Sequence, residues 1–270
     1  MAKSVKPQAA PGQAAGTTVR RAVEPAAEAC GNGERGGPPR WAGPPGVDAS
    51  DLARLMTWLS PAFPVGSFSY SHGLEWVVEA GTIRDAAALG DWIADVLVYG
   101  AGRSDAIFLA QAWRAVVAAD ARRLAEVAAL AAAFAISAER RLETLAQGTA
   151  FLGAVMAVWP HPALKGLTQA SEIAYPVAVG ACTAAHQLPL LASAQAFTQA
   201  FAANLVSAGV RLVPLGQTDG LRLQARLEPL IAKVVRAALA AGLEDVGGAA
   251  VLVDIASMRH ETQYTRLFRS

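Results

Sequence analysis

The order of apolar and polar residues along the chain predicts a series of helices that begins near residue 49. Within each segment apolar side chains recur every three or four positions, as Leu52, Leu55 and Leu59 do, which places them on one face of a helix. No segment alternates apolar and polar residues between turn signals, so no strand is predicted. The pattern therefore predicts an all-α, single-domain helical bundle of about eight to ten helices.

Capping residues and helix breakers divide this pattern. Ser, Thr and Asp side chains can cap the starts, and Gly or Pro can end the segments. Thr82 to Asp85 resembles a capping box, Ser104 or Asp105 opens the helix after the break at residues 100–102, and Pro229 predicts a kink or a division. The predicted helices begin near residues 49, 72, 82, 104, 138, 176, 193, 218 and 250, with one more through 124–134.

Residues 173–210 contain no Asp, Glu, Lys or Arg, a length that invites a transmembrane interpretation. Pro189, Gln195 and Asn204 interrupt the run, and no cluster of basic residues flanks it. We therefore expect two helices, at about 176–187 and 193–213, in the centre of the bundle rather than in a membrane.

The first 48 residues differ in composition from the rest. Pro and Gly occupy 15 of these 48 positions, and large apolar residues are almost absent before Trp41. Such a segment buries too little apolar surface to offset the entropy of ordering. The predicted organisation is a disordered leader over 1–48, a helical domain over 49–257 and a C-terminal tail over 258–270.

Charge and cysteine content narrow the function. The net charge is +1 and no clustered basic face is visible, which argues against nucleic acid as a partner. Cys30 and Cys182 lie in unrelated settings, so a disulfide framework is not expected and a reducing compartment is the default. No secretory signal follows Lys3 and Lys6.

The sequence contains no motif that is typical of a catalytic site. The chain has no Gly-x-x-x-x-Gly-Lys-[Ser/Thr] loop for phosphate and no Gly-x-Ser-x-Gly elbow. Glu75 and Glu79 look like one solvated helix face. Cys182 and His186, four residues apart on a helix, could share a metal or could simply pack in the core. We expect no catalytic residue, no bound cofactor and no enzyme activity.

Two aromatic segments remain as recognition candidates. Residues 59–75 concentrate prolines, glycines and aromatics between two helices, so Phe68 and Tyr70 either fill the core or contact a partner. The ending MRHETQYTRLFRS combines arginines with Tyr264, Leu267 and Phe268, residue types common in interface hot spots, although terminal residues are often frayed.

These two segments resemble one known family. Residues 64–75, PVGSFSYSHGLE, resemble the Pro-Val-Gly-x-Phe-x-x-Ser-x-Gly-Leu-Glu signature of the urease accessory protein UreF family, and residues 258–268 are similar to its His-Glu-x-x-Tyr-x-Arg-Leu-Phe ending. The resemblance covers about residues 50–270. At the position of His72 other members commonly carry Gln, which argues against a catalytic or metal role for this residue.

The resemblance implies a cytoplasmic, dimer-forming, all-helical chaperone. It implies binding to UreD, called UreH in some systems, and recruitment of the GTPase UreG, so that nickel reaches apo-urease through the complex. A regulator that activates UreG through an arginine is the alternative. The implied partner-binding residues are Arg259, Glu261, Tyr264, Arg266, Leu267 and Phe268 in the tail and Phe68, Tyr70 and Glu75 in the loop. We further expect the tail to be mobile until UreD binds.

Overall fold

A computed structural model describes residues 47–167 and 172–269 of the chain. The predicted leader lies outside these residues except for Val47 and Asp48, which directly precede the first helix. All regular structure in the described residues is helical, as predicted. Ten α-helices are found there: α1 Ala49–Trp58, α2 Leu74–Glu79, α3 Ala86–Tyr99, α4 Ala101–Val117, α5 Ala121–Ala133, α6 Ala138–Val158, α7 Tyr175–Ala185, α8 Leu190–Leu212, α9 Gln217–Ala240 and α10 Val251–His260.

Short polar side chains start several of these helices. Asp48 caps α1 by accepting a hydrogen bond from the N–H of Asp51, and Ser137 caps α6 through the N–H of Arg140. Two predicted starts are wrong. Asp85, rather than Thr82, caps α3, and α4 begins at Ala101 because only Gly100 interrupts the helical backbone.

Helices α7 and α8 form the centre of the bundle, which confirms the prediction for the uncharged run. Every residue of α7 after Tyr175 is buried. Gly180 brings α7 against α4, since a Cβ atom at this position would lie 2.3 Å from the Leu109 carbonyl oxygen. Among the helices that the structure describes, none has the length and apolar character needed to cross a bilayer.

Helix α9 runs without interruption through Pro229. The predicted division of this segment is therefore wrong. Its buried side chains, Leu223, Leu227, Ile231, Val234 and Val235, follow at spacings of three, four and one, so one continuous face packs on the bundle. This packing outweighs the hydrogen bond that the proline cannot donate.

Candidate functional site

The α1–α2 loop, residues 59–73, meets helix α10 backbone to backbone. Gly73 has a φ of 75°, and a Cβ atom there would lie 2.6 Å from the amide nitrogen of Ser257. Glycine is needed at this position for two reasons: it adopts the left-handed backbone conformation, and its lack of a side chain lets the backbone of α10 come close. The contact brings the two segments that the sequence singled out, the loop and the C-terminus, to the same place.

The first three residues of the tail, 258–260, belong to α10. The part of the tail that follows, residues 261–269, lies against this loop and the first turn of α2. The N–H groups of Leu267 and Phe268 donate to the Glu75 carboxylate, with N···O distances of 2.6 and 2.9 Å. The N–H of Arg269 donates to the Ser69 carbonyl at 2.8 Å. The expectation of a tail that is mobile without a partner does not agree with these contacts.

His260 joins the tail to two helices. Its imidazole is fully buried, with Nδ1 2.7 Å from Glu139 Oε2 and Nε2 3.2 Å from Glu75 Oε2. Arg266 adds a charge-assisted hydrogen bond of 2.6 Å from Nη1 to Glu139 Oε1. The carboxylates of α2 and α6 are thus held by one imidazole and one guanidinium from the C-terminal end of the chain.

Phe268 is the apolar anchor of the tail. Its ring is buried at 4% exposure, and the Arg211 guanidinium lies 4.3 Å from the ring centroid. Arg211 also donates to the Phe68 carbonyl oxygen at 2.9 Å, so one arginine of α8 binds both segments.

Several predicted partner-binding residues are instead buried or bonded within the chain. Tyr70 and Phe268 are buried, and Glu75, predicted as part of a solvated face, is 8% exposed. Arg266 is bonded to Glu139, and Glu261 accepts a hydrogen bond from the N–H of Ala138 at 2.8 Å. These five side chains hold the site together rather than presenting a free surface.

Other side chains of the same segments point to solvent. Tyr264 is fully exposed and Leu267 is 66% exposed, while Arg259 is exposed at the end of α10. Apolar residues of α10 spaced three and four apart are exposed as well. The exposed apolar side chains of α10 and the tail are Val251, Leu252, Ile255, Met258, Tyr264 and Leu267. We call this set the docking strip.

A second buried cluster ties the loop to α6. His72 Nε2 lies 2.9 Å from both Arg140 Nη1 and Glu143 Oε1, and Arg140 also bonds Glu143 directly. Burial and the Arg140 charge lower the pKa of His72. Burial alone would raise the pKa of Glu143, but Arg140 and His72 outweigh it and lower that pKa to about 2. The cluster is a structural ion pair with a histidine beside it.

A groove of about 1010 Å³ opens beside this cluster, between the loop and helices α1, α8 and α9. Leu52, Met56, Phe68 and Leu221 line it and are each more than half exposed. Phe68 is therefore the one loop aromatic, of the two predicted, that a partner could contact.

The amino-acid sequence was compared with known families and proteins. The family model described as UreF matches residues 83–228. Urease accessory protein UreF of Rhodopseudomonas palustris strain HaA2 is 56% identical over 236 residues, 86% of this chain and 100% of the relative. The UreF of Bradyrhizobium sp. strain ORS 278 is 53% identical over 226 residues, 83% of this chain and 94% of the relative.

The chain belongs to the UreF family. The resemblance drawn from the loop and the tail is thereby confirmed, and a family of urease accessory proteins agrees with the expectation that the chain is not an enzyme.

The metal alternative for this UreF chain is weakened by the surroundings of its two candidates. Cys182 is fully buried, and burial raises the pKa of its thiol, which disfavours the thiolate that a metal requires. His186 Nε2 lies 3.1 Å from the Trp159 carbonyl oxygen and Nδ1 lies 3.3 Å from Arg54. In the described part of the chain no three His, Cys, Asp or Glu side chains are grouped so that they could hold a metal ion.

Four members of the two clusters, Glu139, Arg140, Glu143 and His260, were not predicted from the sequence. Glu139 and Glu143 lie on α6 beside Arg140, and His260 lies at the end of α10. The four-residue spacing of the two glutamates places them on one helix face, which is the only local signal. Nothing in the sequence shows that this face is covered by the C-terminus of the chain.

Proposed function

We propose that this UreF chain is a non-enzymatic adaptor for nickel insertion into urease. It binds UreD (UreH) through α10 and the tail, recruits the GTPase UreG, and acts on apo-urease within that complex in the cytoplasm. Nickel and nucleotide are handled by the complex, and this chain supplies the surfaces that hold its members together.

The docking strip is the observation that carries this proposal. Apolar side chains on a surface cost solvation free energy, and a group of them marks a protein interaction site. Tyr264 is the most exposed of them, and tyrosine is among the residue types that contribute most to binding. The buried side chains of Phe268 and His260, together with the Arg266–Glu139 ion pair, keep the strip in one place, so less entropy is lost on binding.

The proposed organisation follows the sequence, with a changed role for the tail. Residues 1–48 are the leader, residues 49–257 the helical body and residues 258–270 the docking segment. Within the docking segment Arg259, Tyr264 and Leu267 contact UreD, whereas Glu261, Arg266 and Phe268 attach the segment to the body. Phe68 and the groove form a separate surface for UreG or for the second protomer of a homodimer.

An arginine-based activation of UreG receives less support. Arg266 is already bonded to Glu139 in this structure. We therefore propose recruitment of UreG without Arg266 as an activating arginine.

The test is co-purification of purified UreD with the full chain and with Tyr264→Ala. Tyr264 is fully exposed, so the variant should keep its helix content and melting temperature while its affinity for UreD falls at least tenfold, as for a hot-spot tyrosine. The matched control is Leu221→Ala, which removes an exposed apolar side chain of α9 at the groove. Unchanged affinity of the Tyr264 variant would show that the docking strip does not bind UreD.

A second experiment tests the recruitment of UreG. The mass of the complex is measured after UreG is added to the mixture of this chain with UreD, with and without GTP.

A further inference from the structure

The Glu75 carboxylate accepts hydrogen bonds from two backbone N–H groups and contacts one imidazole nitrogen, all from the C-terminal end of the chain. Oε1 accepts from the N–H of Leu267 at 2.6 Å. Oε2 accepts from the N–H of Phe268 at 2.9 Å and lies 3.2 Å from His260 Nε2. Two consecutive backbone amides directed at one carboxylate form an anion-binding arrangement of the backbone, here occupied by a side chain of the same protein.

The position of Glu75 within the fold suits this role. It lies in the first turn of α2, where the helix dipole favours a negative charge, and its own N–H contacts Ser71 Oγ at 3.4 Å. The backbone of Glu75 is therefore held by a contact made within the loop and α2. The carboxylate belongs to the body of the fold, and its ligands belong to the last residues of the chain.

The two bonds determine which tail side chains point outward. Leu267 and Phe268 are neighbours, yet Leu267 is 66% exposed and Phe268 only 4%. With both amides bound to Glu75, the Phe268 ring is placed under Arg211 and the Leu267 side chain is left in solvent. A shift of the tail by one residue would bury Leu267 and expose the phenylalanine.

We propose that Glu75 is a positioning residue for partner binding: its carboxylate sets the register of the tail so that Tyr264 and Leu267 face UreD. This inference rests on the proposed function. It changes the role of Glu75 from a residue that contacts the partner to one that acts through the tail. Only a carboxylate fits this role, because glutamine would direct an N–H₂ group at one of the two backbone N–H donors.

The first measurement needs no partner. We expect Glu75→Gln to raise the hydrogen-exchange rate of peptides covering residues 261–270 about tenfold, the effect of leaving one buried donor unsatisfied. The matched control is Glu228→Gln, an exposed position on α9, which should exchange like the wild type. Tail exchange equal to the wild type in Glu75→Gln would overturn the proposal.

The second measurement is affinity for purified UreD. Glu75→Gln should bind about tenfold more weakly, since the binding-competent tail is populated that much less. In a double-mutant cycle with Tyr264→Ala the two effects should be less than additive, because both act through the same segment. Faster tail exchange with undiminished affinity, or full additivity, would overturn the positioning role.

If Glu75→Gln does not fold, a substitution in the tail tests the same contact. Leu267→Pro removes the N–H that Glu75 accepts and leaves the glutamate in place, and Leu267→Ala removes the same side chain while keeping that N–H. The proposal requires Leu267→Pro to lose more protection of the tail from hydrogen exchange and more affinity for UreD than Leu267→Ala, and equal behaviour of the two variants would contradict it.

If Tyr264→Ala weakens binding to UreD and the Glu75 and proline variants do not, this inference fails while the proposed function stands. If none of them weakens binding, the proposed docking surface fails as well.

Discussion

Asp105 is an acidic residue of α4 with no hydrogen bond or ion pair to its carboxylate among the described residues. Burial raises its pKa to about 6 from 3.8, against an opposing effect of Arg140. Because the folded-state pKa is the higher one, the folded state binds the proton more tightly than the unfolded state does. Asp105 therefore lowers stability progressively as the pH rises from about 4 through 6.

Asp105→Asn should stabilise the protein at pH 8. The gain is bounded by about 3 kcal/mol, from about 1.4 kcal/mol per pKa unit, and it should shrink towards pH 4, where the wild-type carboxyl is protonated when folded. Urea unfolding at both pH values measures it. Asp95→Asn, an exposed position on α3, is the control and should change stability by less than about 0.5 kcal/mol. Equal effects of Asp105→Asn at both pH values would contradict the prediction.

The pKa of Glu143 is shifted in the opposite direction from that of Asp105, so its effect on stability changes with pH in the opposite direction. Its folded-state pKa of about 2 lies below the ordinary value of 4.5, so its contribution to stability is present above about pH 4.5 and is lost as the pH falls towards 2. The partner, Arg140, is largely buried at 13% side-chain exposure. Removing the carboxylate would leave that guanidinium charge without its ion pair.

Glu143→Gln should cost about 3 kcal/mol at pH 7, the range for breaking one side of a buried pair. The difference from the wild type should narrow near pH 2.5, where the wild type also begins to lose the charge. Denaturant titrations at the two pH values provide the comparison. Glu126→Gln, which breaks an exposed pair with Arg123, should cost less than about 1 kcal/mol. A pH-independent difference for Glu143→Gln would argue against the ion pair.

At the scale of elements, the spacing of helices depends on glycines that allow backbone contact. On α6, a Cβ atom at Gly148 would lie 2.0 Å from the Ile173 carbonyl oxygen, just before α7. Five residues later on the same helix, a Cβ atom at Gly153 would have no neighbour within 4 Å. The two glycines thus differ in their surroundings while sharing one helix.

Alanine at these two positions should have opposite effects. Gly148→Ala forces α6 and α7 apart and should destabilise by about 1–3 kcal/mol or more, as overpacking does. Gly153→Ala should stabilise by about 0.5–1 kcal/mol, because alanine loses less backbone entropy in a helix. Thermal unfolding of the two variants beside the wild type measures both. Similar effects of the two substitutions would show that the backbone contact at Gly148 does not limit the packing.

At the scale of the whole molecule, the last residues of the chain divide into two roles. His260 closes the contact between Glu75 and Glu139, whereas Tyr264 makes no contact with the body that would hold it. A chain that ends at Gln263 loses the buried Phe268 ring and the two N–H groups bound to Glu75, so in thermal unfolding it should be less stable than the full chain by about 3 kcal/mol, and it should lose UreD binding. A chain that ends at Ser257 also loses His260 and should be less stable by a further ~1–3 kcal/mol. Equal stability of the two truncations would contradict the structural role of His260.

Helix content and core followed from local sequence. Asp48 and Ser137 are caps whose partners lie three residues away, and α7, the first part of the uncharged run, is buried because its residues offer no polar face. One error occurred where packing outweighed local preference, since α9 continues through Pro229. Another was a choice between two local caps, since Asp85 rather than Thr82 caps α3 through the N–H of Ala88.

The sequence by itself determined that this protein is helical, which segments are apolar, and which two segments are unusual, because capping and hydrophobic periodicity act over a few residues. Only the tertiary structure decided that these two segments touch. Leu267 and Glu75 are separated by 192 positions, and their contact depends on every helix between them. The same long-range contact buried Glu75 and Phe268 and left Tyr264 outside, a division that side-chain chemistry alone does not specify.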